Sequence, residues 1–443
     1  MPKTGRFLLA AAALFEYIAR MRRDNPPNAT ARSAMKIPEL LAPAGSMEKL
    51  RCAVHYGADA VYLGGSRFSL RAHATNFTDV QIAEAVAFAH DHGVKVYVTV
   101  NIFAHQRDLA GLPEYLRGLR TAGADGVIVA DPGVLAIARR TVPELAIHLS
   151  TQANVTNAES ARFWMAQGAK RLNLARELSL AEIAAIRQAV DVELELFVHG
   201  ALCISYSGRC MLSLYLTGRD ANQGDCAHPC RYRYRLEEEK RPGQFFPVEE
   251  DEHGTYIFNA KDLCLLNRLP DLIRAGADSL KIEGRMKSVA YVGTVTRLYR
   301  AALDHWARAG LPQPGQPARL PEEFAAELAR IGSRGQTENF LDQPPGPAEM
   351  LYQGAMVSHD FAPAGIVRQA GPEPLVEARS PFAVGERIDA LGQGLSHCEH
   401  TVLAMTTPEG VAVDRANPGN LVRLTLSPQA NCGVDALFRK KIV

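Results

Sequence analysis

The sequence predicts an α/β chain, a (β/α)8 TIM-like barrel with a long cysteine-bearing insertion, followed by a small all-β C-terminal domain. Three observations predict it. Strand-length apolar runs alternate with amphipathic helical stretches over roughly the 250 residues that a (β/α)8 barrel needs. A glycine-led turn recurs where helices hand over to strands, and beyond about Pro345 the texture changes to short runs broken by Gly and Pro.

The strand runs are IPELLA from Ile37, DAVYLGG from Asp59, VKVYVTVN from Val94, DGVIVAD from Asp125, AIHLSTQ from Ala146, KRLNLAR from Lys170, VELELFVHG from Val192 and DSLKIEG from Asp278. Between them lie MEKLRCAVHYG, VQIAEAVAFAHDHG and SLAEIAAIRQAV, apolar at helical spacing, the first two ending at Gly, as a helix stop requires. The turns GADAVYL at Gly57, GADGVIV at Gly123, GAKRLNL at Gly168 and GADSLKI at Gly276 form a small internal repeat, which suits strands that all enter one closed sheet with the same geometry. A doubly wound sheet would alternate too, but no GxGxxG follows the first strand. The later runs PAGIVRQAG, PLVEAR, FAVGERIDAL, TVLAMTT and NLVRLTL, with YQGAMVSH before them, read as an all-β barrel or sandwich. The expected division is 1–34 as a disordered tail or mispredicted start, 35–310 as the barrel with its insertion at 199–258, 311–347 as a linker, and 348–443 as the β domain.

With 443 residues, 47% apolar and 22% charged, the chain reads as an ordinary soluble globular protein. A formal charge of +1 gives no global electrostatic footprint for nucleic acid, so an RNA partner would meet a local basic patch. The apolar run between Arg6 and Arg20 is short and interrupted by Glu16, so neither a membrane span nor an export signal is expected, and the thiols are expected in a reducing cytoplasm.

Eight cysteines are too dilute for a disulfide scaffold, yet Cys203, Cys210, Cys226 and Cys230 crowd into one region as C-x6-C-x15-C-x3-C, directly after a strand. Residues just past a barrel strand form the active-site face. Packing cysteines would sit among apolar neighbours, whereas these alternate with Gly208, Arg209, Gly224, Asp225 and Pro229. A zinc site would normally contain a tight C-x2-C knuckle, which is missing. Four thiolates amid Gly and Pro bends suit an iron-sulfur cluster better.

ELFVHGALCISYSGRCMLS, from Glu195 to Ser213, resembles the signature of the collagenase-like peptidase family U32. ELLAPAGS at Glu39, STQANVTN at Ser150, LARELSL at Leu174 and SLKIEGRMKS at Ser279 resemble other segments of that family. GRDANQGDCAHPCRYRY and NAKDLCLL are most similar to its subgroup concerned with prephenate-dependent tRNA hydroxylation. The resemblance implies a tRNA-modifying enzyme that forms 5-hydroxyuridine at the wobble position without molecular oxygen, with prephenate as co-substrate and a 4Fe-4S cluster. It implies Cys203, Cys210 and Cys226 as ligands. The fourth stays open between Cys230, which matches the tRNA-modifying subgroup, and Cys264, where ubiquinone-type relatives place theirs. Tyr232 stands where the subgroup often has Trp.

Other candidate site residues lie at strand ends. Arg176, Lys281, Glu283 and Arg285 place charge where a dicarboxylate or phosphate would be held, or else close the barrel mouth as ion pairs. Gln152 and Asn154 offer amides to a base or carboxylate. His199 is a general acid or base, a cluster neighbour, or a buried hydrogen-bonded histidine. Arg209, Arg231, Arg233 and Arg235, interleaved with Tyr206, Tyr232 and Tyr234, suit phosphate contact and base stacking, though a solvated loop would look similar. Two other functions compete: a peptidase, for which no H-E-x-x-H or G-x-S-x-G motif is present, and a cluster-bearing RNA-binding adaptor or ubiquinone-type hydroxylation component.

Overall fold

The computed structural model describes residues 36–70, 76–202, 211–221, 225–229, 261–313, 316–343 and 360–442, together with the backbone of short strands at 236–237, 245–246, 249–251, 254–256, 259–260 and 350–351. The expectation for 1–34 and the run YQGAMVSH lie outside the described residues.

The barrel strands are β1 (Glu39–Pro43), β2 (Ala60–Gly64), β3 (Lys95–Val100), β4 (Gly126–Val129), β5 (Ala146–Leu149), β6 (Arg171–Asn173) and β7 (Glu193–Gly200). After them come β8 (Asp262–Cys264) and β9 (Ser279–Ile282). Strands β1 to β7 pair in parallel in chain order, and β9 closes the ring by pairing in parallel with both β7 and β1. The eight staves are the eight runs read from the sequence. Strand β8 lies outside the ring, antiparallel to the end of β7.

Helices α1 (Met47–His55), α2 (Asp79–Asp91), α3 (Leu112–Thr121), α4 (Pro132–Thr141), α5 (Ala158–Ala166) and α6 (Leu180–Ala189) fill the gaps between strands. Each sequence gives its own start signal. Ser46, Thr78, Asp131, Asn157 and Ser179 cap α1, α2, α4, α5 and α6 by accepting a backbone N–H, each satisfying one donor the helix cannot pair internally. Gly57, Gly123, Gly168 and Gly276, the glycines of the internal repeat, all have φ between +84° and +93°, a region closed to side chains at low cost. The alanine after each is buried against the next strand.

Later helices are α7 (Leu212–Thr217), α8 (Leu269–Arg274), α9 (Val289–Ala309) and α10 (Glu322–Ala329). The expected linker at 311–347 is corrected by α10, whose Phe324 and Leu328 join the barrel's apolar core together with Ile331 and Leu341. Its Pro and Gly residues mark the flanks of a packed helix, because the apolar spacing of EEFAAELA gives that helix a face to bury.

The C-terminal domain is a closed antiparallel barrel of β10 (Phe361–Gln369), β11 (Leu375–Ala378), β12 (Arg387–Leu391), β13 (His397–Thr406), β14 (Leu421–Ser427) and β15 (Leu437–Lys441). It docks on α1 and α9. Cys52, Tyr56 and Val289 pack against Ile366, Leu391 and Leu437, and the Tyr56 hydroxyl donates to the Leu391 carbonyl at 3.0 Å. The fully buried Arg297 on α9 donates to the carbonyls of Gly392 and Ser396, both at 2.8 Å.

Candidate functional site

The C-terminal ends of the parallel strands form one mouth, where (β/α)8 barrels carry their sites. Gln152 follows β5 in a short 3-10 turn and is buried. Its Oε1 accepts from Asn101 Nδ2 at 2.7 Å, and its Nε2 donates to the Asn101 carbonyl at 3.1 Å. Asn101, just past β3, therefore clamps Gln152. The sequence reading missed it, although the run VKVYVTVN ends on that polar residue. Asn154 sits at φ +53° with its Nδ2 on the Gln152 carbonyl, while its Oδ1 is buried without a partner among the described residues.

Arg176, after β6, stacks over the Phe197 ring at 4.4 Å and donates from Nη1 to the Ala201 carbonyl at 2.9 Å. Its Nε is buried with no partner among the described residues. This guanidinium thus stands at the root of the cysteine loop with donor capacity to spare. Arg285, after β9, is tied across the mouth: Nη1 donates to Thr99 Oγ1 at 2.9 Å and Ser69 Oγ at 3.0 Å, and Nη2 to the Leu70 carbonyl. Arg285 braces the β2, β3 and β9 ends.

Lys281 does not stand at the rim. It is buried inside the barrel, 2.8 Å from Glu195 Oε1, with its ammonium 4.5 Å from the centre of the Tyr62 ring. The strand pleat explains the correction. Lys281 and Glu195 point inward from adjacent staves, where Arg171 also reaches Glu39 at 2.6 Å and Asn173 reaches Glu195 at 2.8 Å.

A β-bulge decides where His199 points. Lys281 pairs with Phe197 but Ile282 pairs with His199, so one extra residue on β7 turns His199 away from the interior. Its Nδ1 lies 3.3 Å from the Tyr299 hydroxyl on α9. Burial, reinforced by the nearby Lys287 charge, lowers its pKa to about 4 despite the opposing Asp262, so the ring is neutral. Of the three roles considered, the geometry matches a buried, hydrogen-bonded histidine. Glu283 directly follows β9, its N–H donating to the His199 carbonyl at 2.8 Å. Gly200, at φ +114°, lets this junction close: a Cβ there would meet the Glu283 carbonyl oxygen at 2.5 Å.

Cys264 pairs with His199 across β8 and β7, and its sulfur lies 4.0 Å from the Tyr299 hydroxyl. Burial raises its thiol pKa. Cys226 lies in the insertion, half-buried and in no disulfide, with its sulfur accepting from the His228 N–H at 3.4 Å. The insertion is fastened there by Ser213 of α7, whose Oγ accepts from the Ala227 N–H at 2.9 Å. Cys203, Cys210, Cys230, Arg209, Arg231 and Tyr232 lie outside the described residues. Among the described residues no cluster of three or more His, Cys, Asp or Glu side chains is assembled for a metal, and no helix is long and apolar enough to cross a membrane.

The chain is 39% identical over 403 residues to a Bacillus subtilis protein named tRNA hydroxylation protein P1, covering 89% of this chain and 93% of that one. It is 37% identical to tRNA hydroxylation protein P of Escherichia coli, covering 80% of this chain and 86% of that one. The 23S rRNA 5-hydroxycytidine C2501 synthase of Escherichia coli is also 37% identical, over 80% of this chain and 52% of that protein. Residues 45–351, which hold the whole barrel mouth beyond β1 and the cysteine insertion, match the profile described as Peptidase family U32, and the chain belongs to that family.

Proposed function

We propose that this protein hydroxylates RNA, and that its reaction is conversion of the tRNA wobble uridine to 5-hydroxyuridine, with prephenate as co-substrate and a 4Fe-4S cluster as cofactor. The observation that carries the reading is near end-to-end similarity to a protein named for tRNA hydroxylation, at 39% identity. The arrangement of the mouth supports it. Arg176 offers unsatisfied donor capacity to a carboxylate or phosphate, and Asn154, held by its bond to the Gln152 carbonyl, offers to a base its Oδ1, unpartnered among the described residues. Glu283, whose N–H meets the His199 carbonyl, is assigned here as the acid or base, while Arg285 and His199 position the ends of β9 and β7.

Four thiols in one insertion are a donor set that fits a 4Fe-4S cluster, and the free, half-buried Cys226 is consistent with it. Cys203, Cys210, Cys226 and Cys230 would hold it. The Cys264 thiol is buried against Tyr299, which favours Cys230 over it. When bound, such a cluster supplies electron-transfer or Lewis-acid chemistry. A Cys203 peptidase using His199 as base is disfavoured, because His199 faces Tyr299 behind the sheet. The test is complementation of cells lacking their own tRNA hydroxylation protein, with tRNA and rRNA nucleosides analysed separately. Restored 5-hydroxyuridine in tRNA supports the proposal; restored 5-hydroxycytidine in rRNA alone moves the substrate.

A further inference from the structure

A cavity of about 260 Å³ lies between the start of α9, the turn after α10, and strands β10 and β15 of the C-terminal domain. The sequence reading gave it no role. Its polar wall is built around Arg439, which is 6% exposed. Arg439 Nη1 donates to Glu327 Oε1 at 2.6 Å and Nε to Asp389 Oδ2 at 3.2 Å, yet Nη2 is buried with no partner among the described residues. A buried donor left unsatisfied costs free energy and marks a place where an acceptor is missing.

Charge points the same way. Glu327 is shared by Arg297 at 2.6 Å, Arg330 at 3.0 Å and Arg439 at 2.6 Å, so with Asp389 the cluster sets three guanidiniums against two carboxylates. Burial alone would raise the Glu327 pKa, but the guanidiniums of Arg439 and Arg297 outweigh it and hold the carboxyl below its usual value. The carboxylate is already ionised, so the excess positive charge is not neutralised from within. Ser288, the N-cap of the 21-residue α9, also lines the cavity, adding the positive end of a long helix.

The remaining wall is apolar. Phe361 packs against both Arg330 and Arg439, each 5.2 Å from its ring centre, and Leu391, Leu437 and Phe438 continue the surface. We infer that this interdomain cavity binds a small organic anion, with one carboxylate or phosphate group on Arg439 and Arg330 and a compact apolar body against Phe361. The inference does not rest on the RNA reading, because Arg439, Arg330 and Phe361 are not among the residues assigned to the barrel mouth, although the lining residue Tyr291 donates its hydroxyl to the Glu283 carbonyl at 3.2 Å.

The test titrates the full chain with phenyl phosphate, benzoate and inorganic phosphate by calorimetry. The organic anions are expected to bind with a Kd of about 1 mM or tighter, and inorganic phosphate at least about tenfold more weakly. Arg330→Gln and the cavity-filling Ala290→Leu are each expected to weaken organic-anion binding by about tenfold or more, with unfolding midpoints checked alongside. Arg439→Gln should abolish it, but because Arg439 also pairs with Glu327 and Asp389 the other two variants carry the decision. No binding of either organic anion at about 10 mM, equal binding of inorganic phosphate, or affinity unchanged in both Arg330→Gln and Ala290→Leu would overturn the inference.

Discussion

Lys281 Nζ lies 2.8 Å from Glu195 Oε1, and both side chains are sealed inside the barrel, 4% and 1% exposed. A charge pair this deep is costly to break, because removing one partner leaves the other ionised in a poorly solvated place. Lys281→Met is therefore expected to destabilise the fold by about 3 kcal/mol or more in urea unfolding. The double variant Lys281→Met with Glu195→Gln should lose less than the two singles added together. A loss under about 1 kcal/mol for Lys281→Met would place the pair in solvent contact.

The His199 environment makes stability pH-dependent. Its folded pKa of about 4 lies below the usual 6.5, so between these values the unfolded chain binds a proton that the folded chain refuses. Stability is complete above pH 6.5 and falls as the pH drops toward 4. His148, also buried neutral inside the barrel, acts in the same direction. His199→Gln should remove about one proton of uptake from the slope, near 1.4 kcal/mol per pH unit, and leave the His148 part. An unchanged slope would mean that His199 titrates normally.

Single Ser replacements at Cys203, Cys210 and Cys226 are expected to remove most iron and sulfide after anaerobic reconstitution, since a hydroxyl poorly replaces a soft thiolate. Cys230→Ser should behave like them and Cys264→Ser should keep the cluster. Retention of full iron in Cys203→Ser and Cys210→Ser would return the region to a thiol catalyst or to packing. The reverse behaviour of Cys230 and Cys264 would move the fourth ligand to β8.

Arg231→Ala with Arg233→Ala is expected to weaken tRNA binding and reduce the salt dependence by about one contact's worth per arginine, with iron content unchanged. Equal affinity at every salt concentration would make these arginines a solvated face.

Much of the barrel was legible because five of the six helices between strands carry a side-chain cap and four of the eight strand runs follow a repeat glycine, so local signals agree with the closed sheet. The inward pair was legible in principle: VELELFV and SLKIEG alternate charged and apolar residues, which puts Glu195 and Lys281 on one face of each strand. The outward turn of His199 was not, because a bulge shifts register by one residue without changing composition. Asn101 was invisible as a partner of Gln152, since nothing in either segment encodes contact across 51 positions. The cysteine spacing was the strongest signal in the chain, yet only Cys226 and Cys264 of that set are among the described residues.

The most direct test is mass spectrometry of tRNA incubated anaerobically with the reconstituted protein and prephenate. A wobble uridine is expected to gain one oxygen atom, the gain to require prephenate, and Cys203→Ser to abolish it. Unmodified tRNA from protein carrying a full cluster, together with cleavage of a collagen-type peptide by the same preparation, would contradict it.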